Sequence, residues 1–158
     1  MKKSKKELPY IVPLLLVVIL SLLCSVFCFQ LMLIQGESME PNYHSGQLCL
    51  LNKLEHEYQR GDCILFYSQE LDCKLVKRIV ALPGDTVQIS NGELLVNGEP
   101  YCPYPSCPDI DPAGLAEEEI RIPEGEYFVL GDNFTLSRDS RYEDVGLVSS
   151  SDILGRII

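Results

Sequence analysis

The sequence has few of the residues on which common enzyme sites depend. It contains two histidines, His44 and His56, so a histidine base has only two candidates. Its seven cysteines follow none of the spacings that metal ligands use. No internal repeat is present, and we predict neither a metal site nor a cofactor.

Basic residues are also scarce, except at the N-terminus. The tail has four lysines and one glutamate, a charge of +3, whereas the rest has nine Lys/Arg against 22 Asp/Glu. Such an acidic domain has little with which to neutralise phosphates, which excludes nucleic acid as an expected partner. Its acidity is typical of a soluble domain in a secretory compartment or outside the cell.

Charged side chains are absent from residues 11–34, where Leu, Val, Ile, Phe and Cys dominate. As a helix this stretch rises about 36 Å at ~1.5 Å per residue, enough to cross a ~30 Å hydrocarbon core. It is too long for the apolar region of a cleavable signal peptide. We therefore predict a transmembrane helix over 10–34. The basic tail, 1–9, is then cytoplasmic and 35–158 lies outside, in a single-pass protein of the cell membrane.

The residues after this helix show the pattern of β-strands. Short apolar or β-branched runs are separated by Gly, Pro, Asn and Asp, without a sustained 3.6-residue apolar period. The predicted strands are 48–51, 63–67, 75–81, 86–89, 94–96 and 127–130. Asn91-Gly92, between two of them, predicts a type I′ hairpin. Residues 35–158 are thus predicted to form a mostly β domain.

Residues 99–125 differ from the rest of this domain. They are rich in proline and contain Glu117-Glu118-Glu119, which predicts a small inserted lobe or loop. Cys102 and Cys107 bracket a Pro-rich segment within it. A disulfide between them and two free thiols both fit this pattern outside the cytoplasm.

The turn of residues 36–41, Gly-Glu-Ser-Met-Glu-Pro, directly follows the apolar stretch. Ser38 could be a nucleophile for membrane-borne substrates or an ordinary turn serine. Gly36 lets the backbone come close to a substrate, and the N–H of Ser38 could donate to an oxyanion.

Three residues are candidates for the base that a serine nucleophile needs. His44 and His56 lie in polar segments that predict exposed side chains. Lys77 lies in the most apolar run of the domain, where burial would favour its neutral form. Alternatively, Lys77 faces solvent from an edge strand. Arg78 points to the opposite face of the strand and can remain charged.

A polar run, residues 131–141, follows the last predicted strand. Ser137 could hold the amine of Lys77 by a hydrogen bond, and Asp139 with Arg141 could brace the loop. The same run is also compatible with an ordinary surface loop.

Together these segments resemble the type I signal peptidases, membrane-anchored serine endopeptidases that use a Ser–Lys dyad. The matching blocks are 36–41 (Gly-Glu-Ser-Met-Glu-Pro), 60–66 (Arg-Gly-Asp-Cys-Ile-Leu-Phe), 77–85 (Lys-Arg-Ile-Val-Ala-Leu-Pro-Gly-Asp), 131–133 (Gly-Asp-Asn), Ser137, Asp139, Ser140 and Arg141. With the preceding apolar stretch, their order and spacing cover nearly the whole chain. The single span and short lobe are similar to those of compact members typical of Gram-positive bacteria.

The resemblance implies roles for particular residues. Ser38 would be the nucleophile and Lys77 the general base, with Ser137 orienting the lysine and Asp139–Arg141 forming a structural pair. The implied fold is built of antiparallel sheets, as in self-cleaving repressors.

Two positions depart from the family pattern. Some members carry, two residues before the nucleophile, a serine whose hydroxyl completes the oxyanion hole; here Gly36 occupies that position, so a second donor comes from elsewhere or is absent. Asn42 replaces a threonine that is frequent in the family.

The expected activity is cleavage of N-terminal signal peptides from secreted preproteins after small residues, by a monomer at the outer surface of the lipid bilayer. One alternative is a dedicated processing protease for a narrow client such as pilin-like subunits. Another, from a different class, is a non-catalytic membrane-anchored β domain that binds secreted chains.

Overall fold

An apolar helix and two antiparallel β-sheets form the part of the protein described by the computed structural model, residues 8–104 and 107–158. The helix, α1, is Leu8–Cys28. The strands are β1 Phe29–Leu33, β2 Leu48–Asn52, β3 Cys63–Ser68, β4 Cys73–Ala81, β5 Thr86–Ser90, β6 Glu93–Val96, β7 Glu99–Pro100, β8 Ile120–Arg121, β9 Glu126–Leu130, β10 Val148–Ser149 and β11 Ile153–Ile157. Short 3₁₀ helices are Gly114–Glu117 and Ser150–Asp152.

The helix ends earlier than the sequence predicted. We expected it to continue to residue 34, but it ends at Cys28, and Phe29–Leu33 forms β1, which pairs with β2. Because this strand is also mostly apolar and uncharged, the absence of charge did not separate it from the helix. The β domain therefore begins at Phe29 and not at residue 35. From Tyr10 to Cys28 the helix is unburied, and long and apolar enough to cross a membrane. Residues 1–7 of the predicted tail lie outside the described residues.

The larger sheet has seven strands in the order β1-β2-β11-β3-β4-β9-β10. Its described strand pairs are antiparallel, and β4 lies between β3 and β9 near the centre. The predicted fold class, mostly antiparallel β after one apolar N-terminal helix, is confirmed. The two edge strands of the sheet were not predicted. β1 lies within the apolar stretch that was predicted to be helical, and β10 has only two residues.

The smaller sheet has four strands in the order β7-β6-β5-β8. Its hairpin turns at Asn91 and Gly92, with φ of 51° and 80°, as a type I′ turn requires. The predicted lobe or loop, 99–125, joins this sheet through β7 and β8, because β7 pairs with β6 and β8 with β5. Strands of two residues leave no alternating pattern for the sequence to reveal.

The two sheets pack on a common apolar core. Val87 and Leu94 of the smaller sheet and Val80 and Phe128 of the larger one belong to a single buried cluster. The loop beyond β7 is closed by a disulfide between Cys102 and Cys107. This is one of the two alternatives that the sequence left open.

Candidate active site

Ser38 lies in the turn between β1 and β2. Gly36 precedes it with a φ of 87°, which favours glycine, although an added Cβ would meet nothing within 4 Å. The Gly36 N–H donates to the Ser45 hydroxyl at 3.3 Å, so it is already occupied. The backbone N–H of Ser38 has no hydrogen-bond acceptor among the described residues.

Lys77 enters the site from β4 and contacts this serine directly. Its Nζ donates to the Ser38 Oγ at 2.7 Å, and only 2% of the residue is exposed. Because successive strand residues point to opposite faces, Lys77 and Arg78 lie on opposite sides of the sheet. The alternative of a solvent-facing lysine on an edge strand is therefore wrong, since β4 is an interior strand.

The surroundings of Lys77 change its acidity. Burial lowers the pKa of Lys77 to about 8, while Asp139 and Asp132 oppose that effect. A lysine with this pKa is largely neutral in mildly alkaline solution, where its amine can accept a proton. The arrangement can thus transfer a proton between a serine hydroxyl and an amine.

Arg78, the residue after Lys77 on β4, lies in a polar network beside the Ser38–Lys77 pair. Its guanidinium donates to both carboxylate oxygens of Asp132, at 2.9 and 2.7 Å, and to the Gly61 carbonyl oxygen at 2.7 Å. Asp132 also accepts from the Asn42 amide at 2.9 Å and from the Tyr104 hydroxyl. The Asp132 side chain is fully buried. No role for Asp132, Asn42 or Tyr104 was predicted from the sequence.

Gly131 is the point at which the polar loop, residues 131–141, lies closest to the Ser38 turn. A Cβ at Gly131 would lie 2.1 Å from the Ser137 Oγ and 2.5 Å from the Ser38 carbonyl oxygen. The Asn133 N–H donates to the same Ser38 carbonyl oxygen at 3.0 Å. The absence of a side chain at Gly131 therefore lets this loop and the serine turn meet.

Ser137 lies in the site but does not make the hydrogen bond expected from the sequence. The residue is buried, and its Oγ has no hydrogen-bond partner among the described residues. Its N–H donates to the Asn133 carbonyl oxygen at 2.9 Å, which fixes its backbone. The hydroxyl is thus placed against Gly131 and is uncommitted.

Asp139 and Arg141 form a buried ion pair under the same loop. Arg141 donates from Nε and Nη2 to the two Asp139 carboxylate oxygens, at 2.8 and 3.0 Å. Its guanidinium also donates to the carbonyl oxygens of Pro112 at 3.1 Å, Phe134 at 2.8 Å and Ser137 at 3.3 Å. Asp139 accepts the Gly131 N–H at 3.1 Å. The pair therefore ties both ends of the loop together.

The two histidines lie outside the Ser38–Lys77 contact. His44 is exposed, with its Nδ1 3.6 Å from a Glu40 carboxylate oxygen, and His56 is also exposed. Neither lines the open cleft in which Ser38 and Lys77 lie, whose walls include Leu75 and Leu136.

Comparisons with known proteins identify the chain as a serine protease, a hydrolase. It belongs to the signal peptidase family, peptidase S26, whose family model matches residues 8–158. The alternative of a non-catalytic β domain is therefore wrong. Membership of this family supports signal-peptide cleavage as the activity.

Relatives of similar length extend this result. The chain is 32% identical over 164 residues to signal peptidase I of Bacillus licheniformis, covering 97% of the chain and 87% of the relative. It is 34% identical to signal peptidase I P of Bacillus subtilis subsp. natto, covering 98% and 88%. A crystal structure of a signal peptidase I from Enterococcus faecalis V583 matches with a TM-score of 0.53 and 29% identity, covering 65% of this chain and 97% of that one.

Proposed function

We propose that the protein is a membrane-anchored endopeptidase that removes signal peptides from secretory preproteins with a Ser38–Lys77 dyad. The observation that carries this proposal is the 2.7 Å contact between the Ser38 hydroxyl and a buried lysine amine. No histidine competes for this position. The predicted catalytic residues and the family's activity thus point to one mechanism.

In this mechanism neutral Lys77 takes the proton of the Ser38 hydroxyl as the Oγ attacks the carbonyl carbon of the scissile peptide bond. The resulting ammonium then gives the proton to the leaving amine, and an acyl-enzyme remains on Ser38. Lys77 next removes a proton from a water molecule that attacks the ester, and the ammonium gives that proton to the Ser38 Oγ as the ester bond breaks, which releases the product and restores both residues.

The oxyanion formed at each step needs hydrogen-bond donors. The Ser38 N–H is suited to this role because it has no acceptor among the described residues. The Gly36 N–H is less suited because Ser45 accepts its hydrogen bond. Gly36 instead gives the serine turn its positive φ and leaves the approach to Ser38 open.

Ser137, Asp139 and Arg141 support the dyad. The uncommitted Ser137 hydroxyl orients the Lys77 amine once Ser38 has been acylated and no longer accepts its hydrogen bond. The Asp139–Arg141 pair keeps the loop that carries Ser137 against the serine turn, through its bonds to Gly131 and to the Ser137 carbonyl oxygen.

The bilayer is the second proposed partner, with the catalytic domain on its outer surface. Helix α1 supplies the anchor, and the exposed faces of β1 and β2 add apolar side chains beside it. Leu31, Leu33 and Leu48 are 65%, 56% and 60% exposed. A water-facing surface rarely concentrates leucines in this way, so contact with lipid explains them. The lysine-rich tail favours a cytoplasmic N-terminus.

Preprotein cleavage by the full-length protein in detergent tests this proposal. Wild type should cut a panel of preproteins after small residues, whereas Ser38→Ala should be inactive and Lys77→Arg nearly so, since guanidinium retains its proton. His44→Ala is the matched control and should keep most of the turnover. Full activity of Lys77→Arg would contradict the dyad, and cleavage of one client alone would favour a dedicated processing protease.

Protease added outside intact cells tests the topology. It should digest the region after Gln35 while an N-terminal tag stays protected. Protection of the C-terminal part would contradict the outward-facing assignment.

A further inference from the structure

Tyr104 extends from the loop closed by the Cys102–Cys107 disulfide into the polar network beside the dyad. Its hydroxyl donates to the Asp132 carboxylate, and the Arg78 guanidinium carbon lies 5.4 Å from its ring centroid. Its ring also packs beside that of Phe134, with centroids 6.4 Å apart. One side chain of the smaller sheet's loop thus contacts residues on both β4 and the polar loop.

Asp132 links this tyrosine to both partners of the dyad. Through Asn42 it holds the turn that carries Ser38, and through Arg78 it holds the strand that carries Lys77. The residue after Asp132 donates its N–H to the Ser38 carbonyl oxygen. A shift of this carboxylate would therefore move the serine turn and the lysine strand relative to each other.

We propose that Tyr104 is a positioning residue for the Ser38–Lys77 dyad and that the Cys102–Cys107 disulfide holds it in place. This inference rests on the proposed function. Because the Asp132 side chain is fully buried, water cannot replace a lost hydrogen bond. Removing one donor therefore leaves part of a buried carboxylate unsatisfied.

Tyr104 is suited to a permanent donor role. Burial, followed by the hydrogen bond to Asp132, raises its pKa well above the usual range for a phenol. The hydroxyl therefore keeps its proton throughout the pH range in which Lys77 titrates.

The disulfide limits how far Tyr104 can move away. It closes the segment that contains Tyr104 with a sequence separation of 5. A dithiol that reduces it transfers two electrons and two protons, giving two cysteine thiols and the cyclic disulfide of the reagent. The loop then gains conformational freedom, so the bond to Asp132 forms for a smaller fraction of the time.

Tyr101 provides a matched control in the same loop. Its ring lies 5.3 Å from the Arg60 guanidinium carbon, and its hydroxyl has no hydrogen-bond partner among the described residues. Tyr101→Phe thus removes the same atom as Tyr104→Phe without touching Asp132.

The test measures preprotein cleavage by full-length wild type, Tyr104→Phe and Tyr101→Phe, each before and after reduction with dithiothreitol. Tyr104→Phe should lower kcat roughly tenfold with little change in KM, since one hydrogen bond to a charged group is lost. Reduction should lower the kcat of wild type and Tyr101→Phe by a similar factor, but change Tyr104→Phe by less than about twofold. Thermal unfolding and thiol counts would show that each sample is folded and fully reduced.

Three outcomes would overturn the inference. One is wild-type kcat in Tyr104→Phe, another is unchanged activity of reduced wild type, and the third is an equal loss on reduction in both tyrosine variants. The third result would show that the disulfide only stabilises the fold. Cys102→Ser/Cys107→Ser, alone and with Tyr104→Phe, repeats the comparison without a reductant. Absence of cleavage by oxidised wild type would instead contradict the proposed function.

Discussion

Lys77 and Arg78 are consecutive residues of β4 whose cationic groups lie in opposite environments. Burial alone would lower the pKa of Arg78, but its hydrogen bonds with Asp132 raise it overall. Lys77 donates to a serine hydroxyl and has no carboxylate partner at hydrogen-bond distance among the described residues, so burial lowers its pKa to about 8. Adjacent positions of β4 thus carry Arg78, which stays cationic, and Lys77, whose amine can act as a base.

Cleavage activity should rise with pH around a midpoint of about 8, the pKa of Lys77. Roughly a tenth of this lysine is neutral one unit below its pKa and about nine-tenths one unit above, so kcat/KM should follow that fraction. The measurement is a pH profile of preprotein cleavage, with circular dichroism showing an intact fold throughout. A midpoint near 6.5 would indicate a histidine base, and one near 10.5 an unperturbed lysine.

Lys77→Met should be inactive but more stable than wild type at pH 7. The pKa of Lys77 is lower when folded than when unfolded, so the unfolded chain binds more protons between about pH 8 and 10.5. Wild-type stability therefore rises with pH across that window, and below it the full cost of burying the lysine applies. Removing the amine should stabilise the fold by up to about 3 kcal/mol at pH 7.

Thermal unfolding of both proteins in detergent tests this stability difference. The gain from Lys77→Met should shrink as the pH is raised from 7 to 10.5. A variant less stable than wild type at pH 7 would show that Lys77 stabilises the fold.

Gly131→Ala should abolish most activity, because the new methyl group would overlap the Ser137 side chain and the Ser38 carbonyl oxygen. A displacement of about 1 Å at a catalytic group costs on the order of a hundredfold in rate. Gly98→Ala is the control, since Gly98 has a positive φ but no atom within 4 Å of an added Cβ. The kcat of both variants is compared, and equal activity would refute the tight contact at Gly131.

Arg141→Met should destabilise the protein by about 3–5 kcal/mol, because Asp139 would remain as a buried, unpaired carboxylate. Arg138→Met offers a matched comparison, since Arg138 is 58% exposed and its ion pair with Asp144 lies at the surface. Thermal unfolding should show a large decrease in Tm for the first variant and little change for the second. Similar melting of the two would contradict a structural role for the buried pair.

The sequence predicted what depends on local pattern. Apolar alternation and turn residues located β2, β3, β4, β5, β6 and β9, and the hairpin at Asn91 and Gly92. The Ser38–Lys77 contact followed from the family resemblance and from a lysine in an apolar strand. The strands and the hairpin are visible because each depends on residues close together in the chain, whereas the Ser38–Lys77 pairing, 39 positions apart, needed the resemblance.

The site features that could not be predicted from the sequence depend on contacts between segments that are distant in the chain. Asp132 meets Arg78, Asn42 and Tyr104, which are 54, 90 and 28 positions away. Each is an ordinary polar residue in its own segment, so no local pattern identified the group. Likewise, the Ser137 side chain packs against Gly131, and its hydroxyl has no hydrogen-bond partner in the described part of the chain, because the side-chain rotamer depends on tertiary packing.

The junction between α1 and β1 has no intervening residue, since the helix ends at Cys28 and the strand begins at Phe29. No flexible tether separates this helix from the sheet, and β1 is about 17 Å long at ~3.4 Å per residue. If α1 spans the membrane as proposed, this direct junction keeps the Ser38 turn within one short strand of the bilayer surface. Under the proposed function, a scissile bond would then meet Ser38 close to the bilayer surface, where the apolar segment of a signal peptide ends.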